Sequence, residues 1–541
     1  MKIYFDFMKS WLDYCGDAFE KNILFMEMLR KRGDIYLKHL DKGKPPVLSF
    51  SYTLVIDGRS RKKEVNYDLY RIKPNKEITG HKERRAIVFI DPRAGHGPGI
   101  GGFKLESGVG VALEMGHPVY FVVFHPEPIP GQTLGDVAAA EISFLDEILK
   151  RHPDQRKPVV IGNCQAGWAA ALLASKKPEC MSTLIMNGAP VSYWAGIRGA
   201  NPMRYKGGLL GGEWVVSLLS DLGQGTFDGA NLVKGFEDLN PGNTNWTKMF
   251  NVRANIDTDE EKFLDFERWW NGYFFTTEQE ITQIVRDLFI GNKLERGEFI
   301  LNEGEKPLSL KNITANILVF ASRGDNITPP SQALNWIPKV YKNADEIKKL
   351  GRRIVYILHP TIGHLGIFVS SSVAKKEQLA IIGGLRKVDR LKPGLYELVV
   401  LDNGNFSYEK RVFSDIVALG DGSDDTTAFE KAREVSEKNQ KMYEKFGRPL
   451  VKTFTNCFTA EFFKQTHSLR VSRYIFSSLN PFMSIFKFTA PFIKQNRHAV
   501  KEENPFVGIE KNFSAKIGGI WESIRKMQEK QIEEKFFKLY G

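Results

Sequence analysis

Apolar positions along this chain change period several times. Up to His39 they recur at three- and four-residue intervals, and "ILFMEMLRKRGDIY" predicts an amphipathic helix with a basic end. Two alternating runs follow, "PVLSFSYTLVI" and "EVNYDLYRI", and Asp57-Gly58 between them predicts a β-hairpin. From Arg84 onward, short runs rich in Val and Ile alternate with helical stretches: "RRAIVFIDP", a glycine-rich loop, "LESGVGVALEMG", "PVYFVVF", "TLGDVAAAEISFLDEILKRH", "PVVIGNC", "GWAAALLAS" and "STLIMNGAP". Strands that are apolar throughout, each leading into a helix, predict a parallel sheet covered on both faces. The fold class is α/β.

After Tyr193 this alternation stops and returns only at "NILVFAS", followed by "RRIVYILHP". The intervening "FERWWNGYFFTTEQEITQIVRDLF" reads as helical and amphipathic, and a long insertion between two sheet strands predicts a cap over a site. Beyond Leu385, "YELVVLDNGNFSYEKRVF" predicts a hairpin turning at Asn403-Gly404, and a mainly helical tail follows. The expected organisation is serial: helices and hairpin over 1–80, core over 81–192, cap over 193–312, core again over 313–385, and a basic extension over 386–541.

Composition narrows the class. With 541 residues, 42% of them hydrophobic, the chain can bury a large core. Cys15, Cys164, Cys180 and Cys457 lie far apart with no C-x-x-C pair, which suggests neither a disulfide framework nor a zinc site and fits a reducing compartment. The first residues contain no signal-peptide apolar stretch, and no segment approaches the roughly 18 apolar residues of a membrane span, so a cytoplasmic protein is expected. The net charge of +12 is concentrated late: from Thr426 onward, 21 Lys and Arg face 12 Asp and Glu. Such a surface suits anionic lipid or a polyanionic ligand such as coenzyme A, while the interleaved acidic residues suit an ordinary solvated face, and no nucleic-acid partner is expected. "NPFMSIFKFTAPFI" sets aromatic beside basic residues, as granule- or membrane-surface segments do, but aromatics are so often buried that packing on the core is the expectation.

The chemistry starts at Gly162-Asn163-Cys164-Gln165-Ala166, a strand leading through a bend into a run of small residues. It has the spacing of the α/β-hydrolase nucleophile elbow G-x-S-x-G, with Cys for Ser and Ala for the second Gly. That plan requires an acid and then a histidine, each in a loop after a later strand. "VFASRGDNITPP" supplies Asp325 and "YILHPTIGHLG" supplies His364. Cys164 is thus the candidate nucleophile, His364 its base and Asp325 the group orienting the imidazole. The backbone N–H of Gln165 is the expected first oxyanion donor, with Arg93 or Ala94 in "DPRAGHGPG" supplying a second, since Pro92 has no N–H. His359 lies five residues from His364, but Pro360 and Gly363 between them argue against a metal pair, and no metal or cofactor is expected. Gly97-Pro98-Gly99-Ile100-Gly101-Gly102 satisfies G-x-G-x-x-G, but "PVYFVVF" ends in His125-Pro126, where a dinucleotide site requires an acidic residue. A flexible loop bordering the site is expected instead.

Cys164 in its glycine box, Asp325 in "GDNITPP", His364 in "GHLG" and "RWWNGYFFTTEQEITQIVRDLFIGNKL" together resemble poly(3-hydroxyalkanoate) synthases. "ILFMEMLRKRGDIYLKHLDKGKPPVLSFSY" and "LRVSRYIFSSLNPF" resemble a bacterial family of unknown function labelled polyhydroxyalkanoate synthetase-like. The resemblance implies an α/β-hydrolase fold, a growing acyl chain held on Cys164 as a thioester, activation by His364, and activation of an incoming 3-hydroxyl by Asp325. The synthase box reads G-x-C-x-G-G. Here Ala166 replaces a glycine, which sets polymerisation apart from simple acyl transfer.

Three functions follow from these observations: a cysteine acyltransferase on (3-hydroxy)acyl-coenzyme A thioesters, a thioesterase or dienelactone-hydrolase-like enzyme, and a non-catalytic granule- or membrane-surface protein. The acyltransferase, with coenzyme A thioester as substrate and a homodimer as a conceivable assembly, is the leading expectation. Trp269 and Trp270 are expected to line its acyl entrance.

Overall fold

The computed structural model of the protein describes residues 2–74, 84–401 and 404–541. Its main sheet contains β1 (Tyr52–Asp57), β2 (Tyr67–Ile72), β3 (Ile87–Ile90), β4 (Val119–Phe124), β5 (Val159–Asn163), β6 (Thr183–Asn187), β7 (Asn316–Ser322), β8 (Arg353–His359), β9 (Gly394–Val400) and β10 (Phe406–Lys410). Across the sheet they run β1-β2-β4-β3-β5-β6-β7-β8-β9-β10. Every neighbouring pair from β4 to β9 is parallel, whereas β1–β2, β2–β4 and β9–β10 are antiparallel. The central strands β3 to β6 are buried along their whole length, which explains why they read as unbroken apolar runs. This is an α/β-hydrolase fold with helical extensions.

The helices that matter below are α1 (Lys2–Asp41), α2 (Leu134–Arg151), α3 (Gln165–Lys176), α4 (Ile256–Trp270), α5 (Ser484–Gln495) and α6 (Pro505–Tyr540). Two compact units contain them. A sheet unit is made of 46–229, 274–460 and 532–541, and a helical unit of 1–45, 230–273 and 461–531. The helical unit thus gathers three segments far apart in sequence, a division that interleaves where the serial reading followed chain order. Its core holds Leu24, Met28 and Leu29 of α1, Ile256 and Phe263 of α4, and Ala490 of α5. Arg30 and Asp34 of α1 bond Ser478 at one end, and Asp17 and Glu20 meet Arg497 at the other, so α5 runs antiparallel beside α1.

Three local expectations are corrected. The expected hairpin forms, with β1 antiparallel to β2, but Asp57-Gly58 only opens its connection, which continues through a 3-10 turn over Gly58–Ser60 and a further stretch. The stretch from Phe266 is not one helix: α4 ends at Asn271-Gly272, a short strand Phe275–Thr277 follows, and Thr277 and Glu280 form a capping box that starts a new helix. In the tail, Phe482, Phe488 and Phe492 are exposed rather than packed on the core, because α5 turns its Ala490 and Ile493 side inward, with Met483 buried just before it. The Gly404 turn between β9 and β10 adjoins Asn403, which lies outside the described residues.

Candidate active site

Cys164 sits where β5 gives way to α3, with φ +51° and ψ −123°, a backbone region that β-carbon residues rarely occupy. Its N–H donates to the Asn187 carbonyl over 2.8 Å, tying the bend to β6. The helix then crosses the strand so closely that a β-carbon on Gly162 would lie 2.4 Å from the Ala166 carbonyl oxygen, and one on Gly167 2.2 Å from Ala189 Cβ. Glycine is therefore required at 162 and 167. Ala166 carries its methyl without such conflict and is buried, so the altered box keeps the elbow intact.

Asp325 and His364 arrive from the loops after β7 and β8. His364 Nε2 lies 3.1 Å from Cys164 Sγ, and His364 Nδ1 donates to Asp325 Oδ2 over 2.7 Å. Asp325 Oδ1 accepts the N–H groups of Ile327 and Thr328 at 2.9 and 2.8 Å, which holds the carboxylate facing the ring. Phe368 meets the imidazole edge-on, with ring centres 5.3 Å apart. All three functional side chains are buried. Burial alone would lower the His364 imidazole; the Asp325 carboxylate and the Cys164 sulfur outweigh it and hold it well above its ordinary value. The arrangement favours the imidazolium facing the sulfur.

The loop after β3 is pinned from inside. Asp91 accepts the N–H of Gly99 at 2.7 Å and of Gly101 at 3.2 Å, and takes the Asn163 side-chain N–H at 2.9 Å. The glycine motif thus wraps the chain's own carboxylate, in place of the flexible loop expected there. The Arg93 guanidinium, buried, donates to Glu280 Oε1 at 2.6 Å and to the Phe275 carbonyl at 2.8 Å. Among the described residues, the backbone N–H groups of Gln165, Arg93 and Ala94 donate to no other group. Gln165 also opens α3, whose N-terminal end favours negative charge.

A family model described as "Protein of unknown function (DUF3141)" matches residues 17–541. The chain belongs to this family. A Rhizobium meliloti relative described as "Uncharacterized protein in ackA 5'region" is 44% identical over 544 residues, covering 98% of this chain and 74% of its own. A Synechocystis poly(3-hydroxyalkanoate) polymerase subunit PhaC is 27% identical over 249 residues, 45% of this chain and 61% of its own length. Among solved structures, naproxen esterase from Bacillus subtilis is 12% identical at a TM-score of 0.35, covering 63% of this chain and 95% of its own. Mouse alpha/beta hydrolase domain-containing protein 10 is 13% identical at 0.33, covering 63% and 98%.

Around Cys164 the DUF3141 chain places two side chains that sequence reasoning did not single out. Tyr193, just past β6, is held by a bond from its N–H to Asn292 Oδ1 at 2.8 Å and by its ring 4.8 Å from Phe289. Its buried hydroxyl faces the indole N–H of Trp168, and beyond that approach neither group has a hydrogen-bond partner among the described residues. Burial first, then the Cys164 sulfur, push the Tyr193 phenol well above its ordinary value, with Trp168 acting in the opposite sense. The available signal was position: ligands of open parallel sheets bind beyond strand C-termini, where "NGAPVSYW" ends. Beside the elbow, Gln165, Ala166, Trp168, Arg93, Glu280 and Glu141 line a cavity of about 60 Å³. Burial raises the Glu141 carboxyl to about 8.

The other expected residues of the DUF3141 chain belong to their own units. Trp269 and Trp270 are buried side chains of the helical unit, Trp269 edge-on to Phe266 and Trp270 stacked on it, with Trp270 Nε1 donating to Glu237 Oε1 at 2.9 Å. The sheet unit itself surrounds Cys164 with Tyr193, Trp168 and His364. His359 accepts the N–H groups of Thr361 and Ile362 through Nδ1 and so shapes the turn leading to His364.

Proposed function

We propose that the protein is a cysteine acyltransferase acting on (3-hydroxy)acyl-coenzyme A thioesters through an acyl-enzyme on Cys164. The observation that carries this reading is the 3.1 Å approach of His364 Nε2 to Cys164 Sγ at a strained strand-to-helix bend, backed by Asp325. A thiolate beside an imidazolium is a nucleophile suited to a thioester carbonyl. Sγ forms a bond to the carbonyl carbon, the carbon–sulfur bond to coenzyme A breaks, and the leaving thiolate takes the proton of His364. An acceptor hydroxyl then gives its proton to His364 as its oxygen attacks the Cys164 thioester, forming an ester and releasing Sγ. Asp325 holds the imidazole in position for both steps, while the N–H of Gln165 with that of Arg93 or Ala94 stabilises the oxyanion.

The relation to a poly(3-hydroxyalkanoate) polymerase subunit favours hydroxyacyl substrates. Tyr193 Oη and Trp168 Nε1, buried, facing each other and without a further partner among the described residues, are the donors left over for a polar acyl group. Burial of Cys164 favours transfer over hydrolysis, because water must be kept from the thioester. The test is incubation with 3-hydroxybutyryl-coenzyme A: coenzyme A release, an acyl mass on Cys164, and ester-linked oligomers or acyl transfer to a supplied alcohol. Free acid formed in step with coenzyme A, with no acyl-enzyme and no ester, overturns the transferase and leaves a hydrolase. No coenzyme A release from wild type or from Cys164→Ser leaves the surface-binding reading.

A further inference from the structure

The helical unit exposes far more apolar side chain than its core requires. On α5, Ile485, Phe488 and Phe492 share one side of the helix, opposite the Ala490 and Ile493 side that faces inward. On α6, Ile509, Phe513 and Ile520 also fall on one stripe. These six side chains are between 60% and 76% exposed, whereas scattered surface hydrophobes do not line up at helical spacing. Two rows of this kind call for a partner.

Charge distinguishes the candidate partners. The stretch from Ser484 to Gln495 contains Lys487 and Lys494 and no acidic residue. Lys516 lies on the α6 stripe itself, three residues after Phe513 and four before Ile520. Lys487 and Lys516 are exposed and form no ion pair among the described residues. Lysine is depleted from the cores of protein–protein interfaces, where its ammonium loses water without recompense. At a bilayer surface the same side chain lies along the apolar zone and lifts its charge to the phosphates. No helix among the described residues is long and apolar enough to cross a membrane, so contact of this kind is lateral.

We propose that the exposed apolar stripes of α5 and α6, with Lys516 on the α6 stripe and Lys487 on the flank of α5, dock the protein on the headgroup layer of an anionic phospholipid bilayer. The aromatic and aliphatic side chains enter the boundary between headgroups and acyl chains, and the lysines face lipid phosphate. This surface is independent of the Cys164 chemistry.

Sedimentation of the full-length protein with vesicles tests it. Vesicles of phosphatidylglycerol and phosphatidylcholine are expected to carry the protein down, phosphatidylcholine alone much less, with Phe488→Asp/Phe492→Asp weakening binding at least roughly tenfold. The substituted side chains are exposed, so the melting temperature should hold; should it fall, Lys516→Glu reads the α6 stripe and is expected to abolish most of the preference for the anionic lipid. Absence of binding to either vesicle, or binding undiminished in both variants, overturns the proposal. So does light scattering that finds a dimer dispersed by Phe488→Asp/Phe492→Asp, or selective adsorption to polyester particles without vesicle binding.

Discussion

Asn163 and Asp91 are joined by a 2.9 Å hydrogen bond that ties the residue before the candidate nucleophile to the loop holding its candidate oxyanion donors. Asn163 Oδ1 in turn accepts from Asn187, whose carbonyl holds the Cys164 N–H. One buried polar chain therefore positions both sides of the carbonyl site. Asp91→Ala is expected to free the Gly99 and Gly101 amides and lower thioester turnover roughly tenfold to a hundredfold, less than the roughly hundredfold to thousandfold cost of losing an oxyanion donor outright. Alkylation of Cys164 should persist in that variant, because the contact with His364 is untouched. Loss of both together would show a folding defect instead.

The four cysteines should separate sharply under brief iodoacetamide treatment near neutral pH. Cys180 is fully buried and burial pushes its thiol up to about 12, so it should remain unlabelled. Cys15 is half-buried and Cys457 exposed, and both should label more slowly than Cys164. Cys164, beside His364, should label first in peptide mass mapping, and His364→Ala should abolish that advantage. Equal labelling of Cys164 and Cys457 would remove the nucleophile assignment.

Tyr193→Phe removes one hydroxyl whose only polar neighbour among the described residues is the Trp168 indole N–H, so stability should change little. The prediction concerns discrimination. If the phenol binds a substituted acyl group, kcat/KM for 3-hydroxybutyryl-coenzyme A should fall by about tenfold and that for butyryl-coenzyme A should not. An equal fall for both substrates would assign Tyr193 to shaping the pocket.

Glu141 predicts a pH dependence of stability. Its carboxyl, at about 8 when folded, shares its cavity with Asp91, Arg93, Glu280 and Tyr67. An unfolded chain ionises near 4.3, so the folded state binds the extra proton between about 4.3 and 8, and stability must fall as pH rises through that window. Glu141→Gln keeps the shape and removes the titration. Its melting temperature should exceed wild type by roughly 5 °C near pH 8 and match it near pH 4, by calorimetry. A constant difference across that range would exclude Glu141 as the source.

Much of this protein was legible in the chain because the determining physics is local or ordered along it. Val- and Ile-rich runs leading into helices specify a parallel sheet, and Cys164, Asp325 and His364 follow strands in the order the elbow plan requires. The chain alone marked Ala166 as a departure. Only the close approach of α3 to β5 and to Ala189 shows that Gly162 and Gly167 carry the steric requirement.

The sequence by itself determined the sheet, the elbow and the three residues whose order implied a relay. Tertiary structure decided what no local pattern contains: that Met1–Pro45, Ala230–Tyr273 and Glu461–Gln531 share one unit, that Asp91 fills the glycine loop, that Tyr193 reaches the sulfur's neighbourhood, and that the phenylalanines of α5 face outward. The physical reason is the range of the interactions. Periodicity and turn chemistry act over a few residues, whereas burial of a helix face depends on which distant segment covers it, and apolar spacing is the same whether that cover is a core or nothing in the chain.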